Sequence, residues 1–597
     1  MTRIFDDPAA FADEALSGFV AANRRYVARV DGGVVRATEM NPDQVALVIG
    51  GGSGHYPAFA GLVGQGLAAG SACGNMFASP AAAQIYRVAK AAHAGGGVLL
   101  SYGNYAGDVL HFGQAQERLN AEGIPTRTVV VTDDIASASL AEIDKRRGIA
   151  GDLTVFKIAG AAAEAGFDLA EVERLARTAN LNTRSLGVAF DGCTLPGATE
   201  PLFTVPAGQM SLGLGIHGEP GISDHDLPTA TELAELLVSR LLAEKPEGAG
   251  TRVVPIVNGL GTVKYDELFL LFGKIDALLR DAGLDVIEPE CGELVTSLDM
   301  SGLSLTLFWV DDELLDLWTA PADTPAFRRG NTAARPQRVV ASAAGDDRSD
   351  TPPATDAATR LGAGALALLQ AVQSVVVEHE QELGRLDAVA GDGDHGSGMR
   401  RGVDAAVAAA VEAHRGGAGV DRVLTLAGEA WAEKAGGTSG ALWGAAVCAS
   451  GASLGNRESY GSADALGVAE SFSSAIIDLG KAELGDKTMV DALLPYVAAF
   501  AAESRGSASV ADTLTAAATA AVQAAAETAD LSPRRGRARP LAAKSIGHPD
   551  PGAVSFGLIA AGVARAYATV TSSDFTNTST NTNSNGTAGT TAEDLTT

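Results

Sequence analysis

The chain reads as a multidomain protein, an α/β domain followed by an all-helical domain, and three observations carry that reading. At 597 residues it is too long for one hydrophobic core. Up to about residue 325, short β-branched runs alternate with Ala-rich helical stretches, as in a sheet covered by helices. From about residue 357, long Ala/Leu/Val-rich segments follow one another with no comparable β run between them.

Taken in order, the N-terminal "MTRIFDDPAAFADEALSGFV" has acids where a secretory signal would carry positive charge, so cytoplasmic localisation is expected. The segments "VALVIGGG", "GVLLSYG", "RTVVVTDD", "LTVFKIAG" and "RVVPIVNGLG" are predicted strands of the first domain, residues 1–325. Pro, Arg, Asp and Thr then break the periodicity, and 326–356 reads as a linker. "TRLGAGALALLQAVQSVVVEHEQEL" and "SVADTLTAAATAAVQAAAETA" are predicted helices of the second domain, 357–570. The remainder, 571–597, holds too little apolar content to fold and is expected to be a disordered tail. No internal repeat is visible.

Composition excludes several function classes. Lys and Arg total 44 against 72 Asp and Glu, and a net charge of -28 repels nucleic acid and anionic membrane. No apolar run reaches the roughly 18 residues of a bilayer span. Cys73, Cys193, Cys291 and Cys448 show no CxxC spacing, which suggests neither a disulfide framework nor a zinc site.

In the first domain, Gly50, Gly51, Gly52, Ser53 and Gly54 end a β run, with His55 next. Such a turn lets backbone N–H groups approach a polar ligand, although the spacing is not GxGxxG and a dinucleotide site is disfavoured. "SYGNYAGDVLHFG" delivers Asn104, Tyr105 and Asp108 from another strand end, where open α/β sheets bind ligands. "GLGIHGEPG" places His217 among flexible glycines beside an acid. Each motif alone also fits a turn, with Asx-type capping at Asp108 and a solvated loop at His217.

In the second domain, "LDAVAGDGDHGSGM" clusters Asp387, Asp392 and Asp394. On one continuous helix Asp387 and Asp394 would lie about 10 Å apart, too far to share an ion. The interspersed glycines instead predict a loop that folds the carboxylates together, and hard oxygen ligands suit Mg²⁺. Counting Asp392 as position 1, position 12 is Val403, which excludes an EF-hand. "EKAGGTSGALWG" sets Gly436, Gly437, Thr438, Ser439 and Gly440 before an apolar helix, either a phosphate cradle or close helix packing. "LGDKTMVDALLP" reads locally as a helix start with Asp486 as N-cap.

The order and spacing of "GGGSGHYPAF", "GNYAGDVLHF", "TDDIA", "RRGIAGDLTVFKIAGA", "GCTLPG" and "GLGIHGEPG" resemble the dihydroxyacetone kinase family over about residues 1–570. The resemblance implies a DhaK-like ketose-binding domain, then a DhaL-like helical-barrel domain that binds ATP and Mg²⁺ as two ions. His217 matches the histidine that adds to the ketone as a hemiaminal, Asp108 the general base, and His55 the group polarising the former carbonyl. Ser53, Gly54, Gly103 and Asn104 match substrate-side positions. Asp387, Asp392 and Asp394 match the metal ligands. Gly436, Gly437, Thr438, Ser439, Gly440, Asp486, Lys487, Thr488, Arg537, Asp550 and Gly552 match nucleotide-side positions. A homodimer is implied as well. Many relatives carry lysine where this chain has Gly103, which leaves room for a four-carbon ketose such as erythrulose. Dihydroxyacetone kinase is the alternative. A ketose-binding regulator without turnover, or a lyase releasing a cyclic nucleotide, would be rivals of another class.

Overall fold

The computed structural model describes residues 2–338, 354–391, 393–505, 508–535 and 542–578. Its first sheet has a parallel centre, with Gln44–Ser53 lying between Gly70–Met76 and Gly95–Gly103, and Thr126–Val131 beyond. Gly33–Arg36 and Val27–Val30 extend the other edge antiparallel. The run Val45–Ile49 is buried throughout, as expected of a strand covered on both faces. Helices Ala82–Ala92 and Ala106–Ala121 cover one face through Ile85, Val88, Phe112 and Leu119. Helices Asp152–Glu164 and Leu169–Leu181 cover the other through Phe156, Val172 and Leu175.

"LTVFKIAG" is helical and not a strand, because it forms most of Asp152–Glu164. That helix is buried from Asp152 to Ala163, between the first sheet and Val254, Ile256 and Phe308 of a second sheet. With apolar neighbours on every side it carries no amphipathic period, so pattern alone cannot separate it from a buried strand. The second sheet is also beyond the single covered sheet expected. Its centre is antiparallel, Ser301–Trp309 between Arg252–Gly259 and Thr183–Asp191, with Gln209–Leu212 and Ser223–Asp226 outward of the latter. Helices Ala230–Leu242 and Tyr265–Asp281 pack on it through Leu237, Leu241, Leu271 and Ile275.

Part of the expected linker is fastened to this domain. Gln337 bridges Thr38, Arg335 pairs with Glu164 at 3.0 Å, and Arg338 donates to the Ala91 carbonyl.

The helical domain runs Asp356–Asp387, His395–Arg415, Val420–Ala435, Gly437–Leu454, Ser462–Gly480, Val490–Glu503, Val510–Glu527 and Pro551–Thr578. The last helix packs back against the first, which closes the ring. Trp431 and Trp443 stack at its centre, 5.4 Å between centroids and 9° apart in plane. The final helix passes residue 570 into the segment expected to be a tail, since extending a formed helix costs little. Among the described residues, Asp356–Asp387 and Pro551–Thr569 are long and apolar enough to cross a bilayer by composition, against expectation. Val372, Val376, Phe556 and Ile559 show where that apolar surface goes, into the domain's own core.

Candidate active site between the two domains

Adjacent parallel strands build one side of a pocket. Gln44–Ser53 leads into His55, and Gly95–Gly103 leads into Tyr105 and the helix whose first turn carries Asp108. The loop between Gln209–Leu212 and Ser223–Asp226 brings His217 in from the second sheet. His55, Gly103, Tyr105, Asp108 and His217 line the same cavity, which Gly437 and Thr438 close from the helical domain of the same chain.

The two imidazoles meet directly, Nε2 to Nε2 at 2.9 Å. His55 Nδ1 lies 2.7 Å from the Thr296 carbonyl oxygen, which can only accept, so that nitrogen carries a proton. His217 Nδ1 lies 3.0 Å from Glu219 Oε1 and donates to it for the same reason. The Nε2 contact therefore needs one shared proton, and the pair holds a positive charge opposite Glu219. Burial, then the neighbouring His217, pushes His55 down to about 3. Burial opposes ionisation of Glu219, yet His217 and Arg147 outweigh it and hold the carboxyl well below the usual range. Arg147 in turn bridges Glu219 at 3.7 Å and Asp134 at 2.7 Å. Phe77 stacks on His55, and Tyr105 stands edge-on to His217 at 4.8 Å, so the rings have little freedom to turn.

Helix N-termini converge on the other side. Gly436 and Gly437 have φ of 64° and 59°, a left-handed backbone that glycine tolerates, and they launch Gly437–Leu454 toward the pocket. His395 opens its helix beside Ser439 at 3.4 Å and Ser555 at 3.0 Å, which joins three helix starts. Exposed N–H groups at such ends favour an anion. Asp387 ends one helix, and Oδ2 accepts from the His395 amide at 3.4 Å after the chain turns back, as the glycines predict.

Burial and then the Asp387 charge raise the Asp394 carboxyl. Desolvation, with Asp491 and Asp387 nearby, pushes Asp550 up to about 7. Carboxylates under mutual repulsion fit a hard divalent cation. Asp392 lies outside the described residues, and among those described no three side chains form a complete ligand group.

Close approach joins the halves. A Cβ on Gly107 would fall 2.5 Å from Ser79 Oγ and 3.3 Å from Gly437 Cα. His111 Nε2 meets the Gly437 carbonyl at 3.1 Å, and Arg87 pairs with Glu433 at 3.4 Å.

Several expected residues stand elsewhere. Ser53 donates to the Gly74 carbonyl, and with Gly54 it lines a neighbouring cavity beneath helix Phe11–Ala22. Asn104 holds the carbonyls of Asp144 and Arg146. Lys487 is buried, and its ammonium donates to the carbonyls of Leu531 and Ser545. Asp486 is not an N-cap: it takes the Glu483 amide and Arg535, while Asp491 accepts from the Gly485 and Thr488 amides. Gly552 lies beside Asp550 and Met489 at the convergent end. Arg537 falls outside the described residues.

Sequence reasoning gave no role to Glu219, Arg147, Asp134 or Asp152. Their signal was present, because "TDDIA", "RRGIAGD" and the acid two residues after His217 all belong to quoted motifs.

The Dak1 domain family matches residues 17–326 and the DAK2 domain family residues 389–565. The chain is 54% identical to an L-erythrulose kinase of Pectobacterium atrosepticum over 97% of its own length and 98% of the relative's. It is 52% identical to a D-erythrulose kinase of Mycolicibacterium smegmatis, covering 94% and 98% of the two chains. A crystal structure of the dihydroxyacetone kinase from C. freundii in complex with AMP-PNP and Mg²⁺ is similar at 30% identity. That match has a TM-score of 0.51 and covers 95% of this chain and 99% of the other.

Proposed function

Since the chain belongs to the dihydroxyacetone kinase family, we propose that it transfers the terminal phosphoryl group of ATP to a hydroxyl of erythrulose held covalently on His217. The observation that carries this is the His55–His217 contact inside a pocket roofed by Gly437 and Thr438.

The shared proton passes to His55 Nε2 as the His217 Nε2 lone pair attacks the ketone carbon. The C=O π bond breaks, and its oxygen takes that proton from His55. His217 is left as an N-alkylated imidazolium whose Nδ1–H stays on Glu219, so atoms and charge balance. A polyol has no carbonyl and gains no such bond. Asp108 then takes the proton of the hydroxyl that attacks the terminal phosphorus, the new O–P bond replaces the bond to the bridging oxygen, and ADP leaves.

Asp387, Asp392 and Asp394 would hold Mg²⁺, as two ions, and the helix starts at Gly437 and His395 would receive phosphate oxygens. Bound metal neutralises charge on the phosphoryl group in flight. These ligands have no use in a ketose-binding regulator. The proposal includes a homodimer working in the cytoplasm, with no nucleic acid or membrane partner in keeping with the charge of -28.

ATP consumption with Mg²⁺ is measured on D-erythrulose, L-erythrulose, dihydroxyacetone and glycerol, with His217→Ala alongside. Preference for one erythrulose, lost in the variant and in EDTA, is the expected result. Superior turnover of dihydroxyacetone overturns the four-carbon assignment, and glycerol turnover by the variant overturns the covalent step.

A further inference from the structure

Asp152 has no part in the chemistry above, yet its side chain lines the pocket with Gly103, Asp108 and His217. The residue is only 3% exposed, and its Oδ1 has no hydrogen-bond partner. Buried polar atoms are nearly always paired, so an orphan facing a ligand cavity asks for a ligand group. Helix capping does not explain it, because the Gly151 amide at the same helix start is taken by Asp133.

The place is defined by Gly148. A Cβ there would fall 2.5 Å from Gly103 Cα and 2.9 Å from Asp152 Oδ1, so glycine at both positions keeps open the corner that Asp152 faces. We propose that Asp152 is a specificity-determining residue that hydrogen-bonds a non-reacting hydroxyl of a four-carbon ketose, the additional one that a three-carbon ketose lacks.

This rests on the erythrulose reading. Once His217 fixes the carbonyl carbon and Asp108 the reacting hydroxyl, two hydroxyls of erythrulose remain against one of dihydroxyacetone, and the corner at Gly103 is the part of the pocket left for the additional one. Burial, with Asp133 and Asp108 adding their charges, holds the Asp152 carboxyl well above the usual carboxylate range. A neutral carboxyl both donates and accepts, as a hydroxyl does, whereas a carboxylate only accepts. A three-carbon ketose leaves the group buried and unpaired, which penalises the shorter substrate in the way that sites built for a hydroxyl reject analogues without it.

The test is kcat/KM for erythrulose and for dihydroxyacetone in wild type, Asp152→Ala and Asp152→Asn, read as the ratio between the two ketoses. Asp152→Ala is expected to lower the erythrulose value by about 10- to 100-fold and the dihydroxyacetone value by less than about threefold. Asp152→Asn, which keeps a donor and an acceptor in the same shape, is expected to recover most of the ratio. An equal fall on both ketoses, or no fall on either, overturns the Asp152 assignment while leaving the erythrulose reading standing. Absence of erythrulose turnover in wild type overturns that reading first, and Asp152 with it.

Discussion

His55 and His217 point their Nε2 atoms at each other across 2.9 Å, and the fixed protons on both Nδ1 atoms leave that contact one proton to share. On the proposed mechanism the nucleophile is thus stored beside the acid that serves it, with the Glu219 carboxylate facing both states of the pair.

Glu219→Gln keeps the shape and removes the charge facing the imidazolium. The expected result is a loss of about 100-fold in kcat/KM for the ketose with little change in KM for ATP, since a charge-assisted pair in a desolvated site is worth a few kcal/mol. Steady-state kinetics with each substrate varied in turn checks it. Mass spectrometry after trapping the adduct should show less ketose on the variant.

Asp108→Asn removes the proposed base and leaves the two imidazoles alone. Turnover should fall between about 10²- and 10⁴-fold, the usual value of a positioned base, while covalent ketose binding persists. An adduct that disappears together with turnover would place Asp108 in the binding step.

Gly437 and Thr438 reach the pocket from the chain that carries His217, and on the proposed reading each helical domain serves its own chain. Mixing His217→Ala with Asp387→Ala should restore no activity, whatever the time of exchange. Recovery toward a quarter or half of the wild-type rate would mean that the helical domain serves a partner.

Lys157 is buried with Nζ 2.6 Å from the Leu317 carbonyl, and burial, then Arg329, lowers it to about 7. The unfolded chain binds more protons than the folded one between that value and the ordinary lysine range, so this group makes stability rise with pH there. Lys157→Met removes the dependence. The stability of the variant relative to wild type should fall by about 2 kcal/mol between pH 7 and 9, measured by denaturant unfolding at the two values.

The parts of the molecule legible in the sequence are those with a local signature. The strand ends at Gly54 and Gly103 read from β runs closing on glycine, and the turn between Asp387 and Asp394 reads from its glycines. Helix Asp152–Glu164 did not, since burial on all sides removes the period that distinguishes helix from strand. Lys487 illustrates a different limit: the resemblance puts it on the nucleotide side, but two backbone carbonyls claim its ammonium. Glu219 and Arg147 gain their meaning only when loops from two sheets meet, a relation between distant segments that no spacing encodes.

The strap from Arg328 to Arg338 moves the anchor of the helical domain. Because Arg335 and Gln337 are fastened to the first domain, that domain keeps hold of the chain as far as 337 and not only to 326. Joining two domains in one chain makes their meeting intramolecular, with an effective concentration that reaches the millimolar range for short linkers. If the helical domain serves its own chain, as proposed, it is presented to that pocket at a local concentration that dilution of the protein does not change.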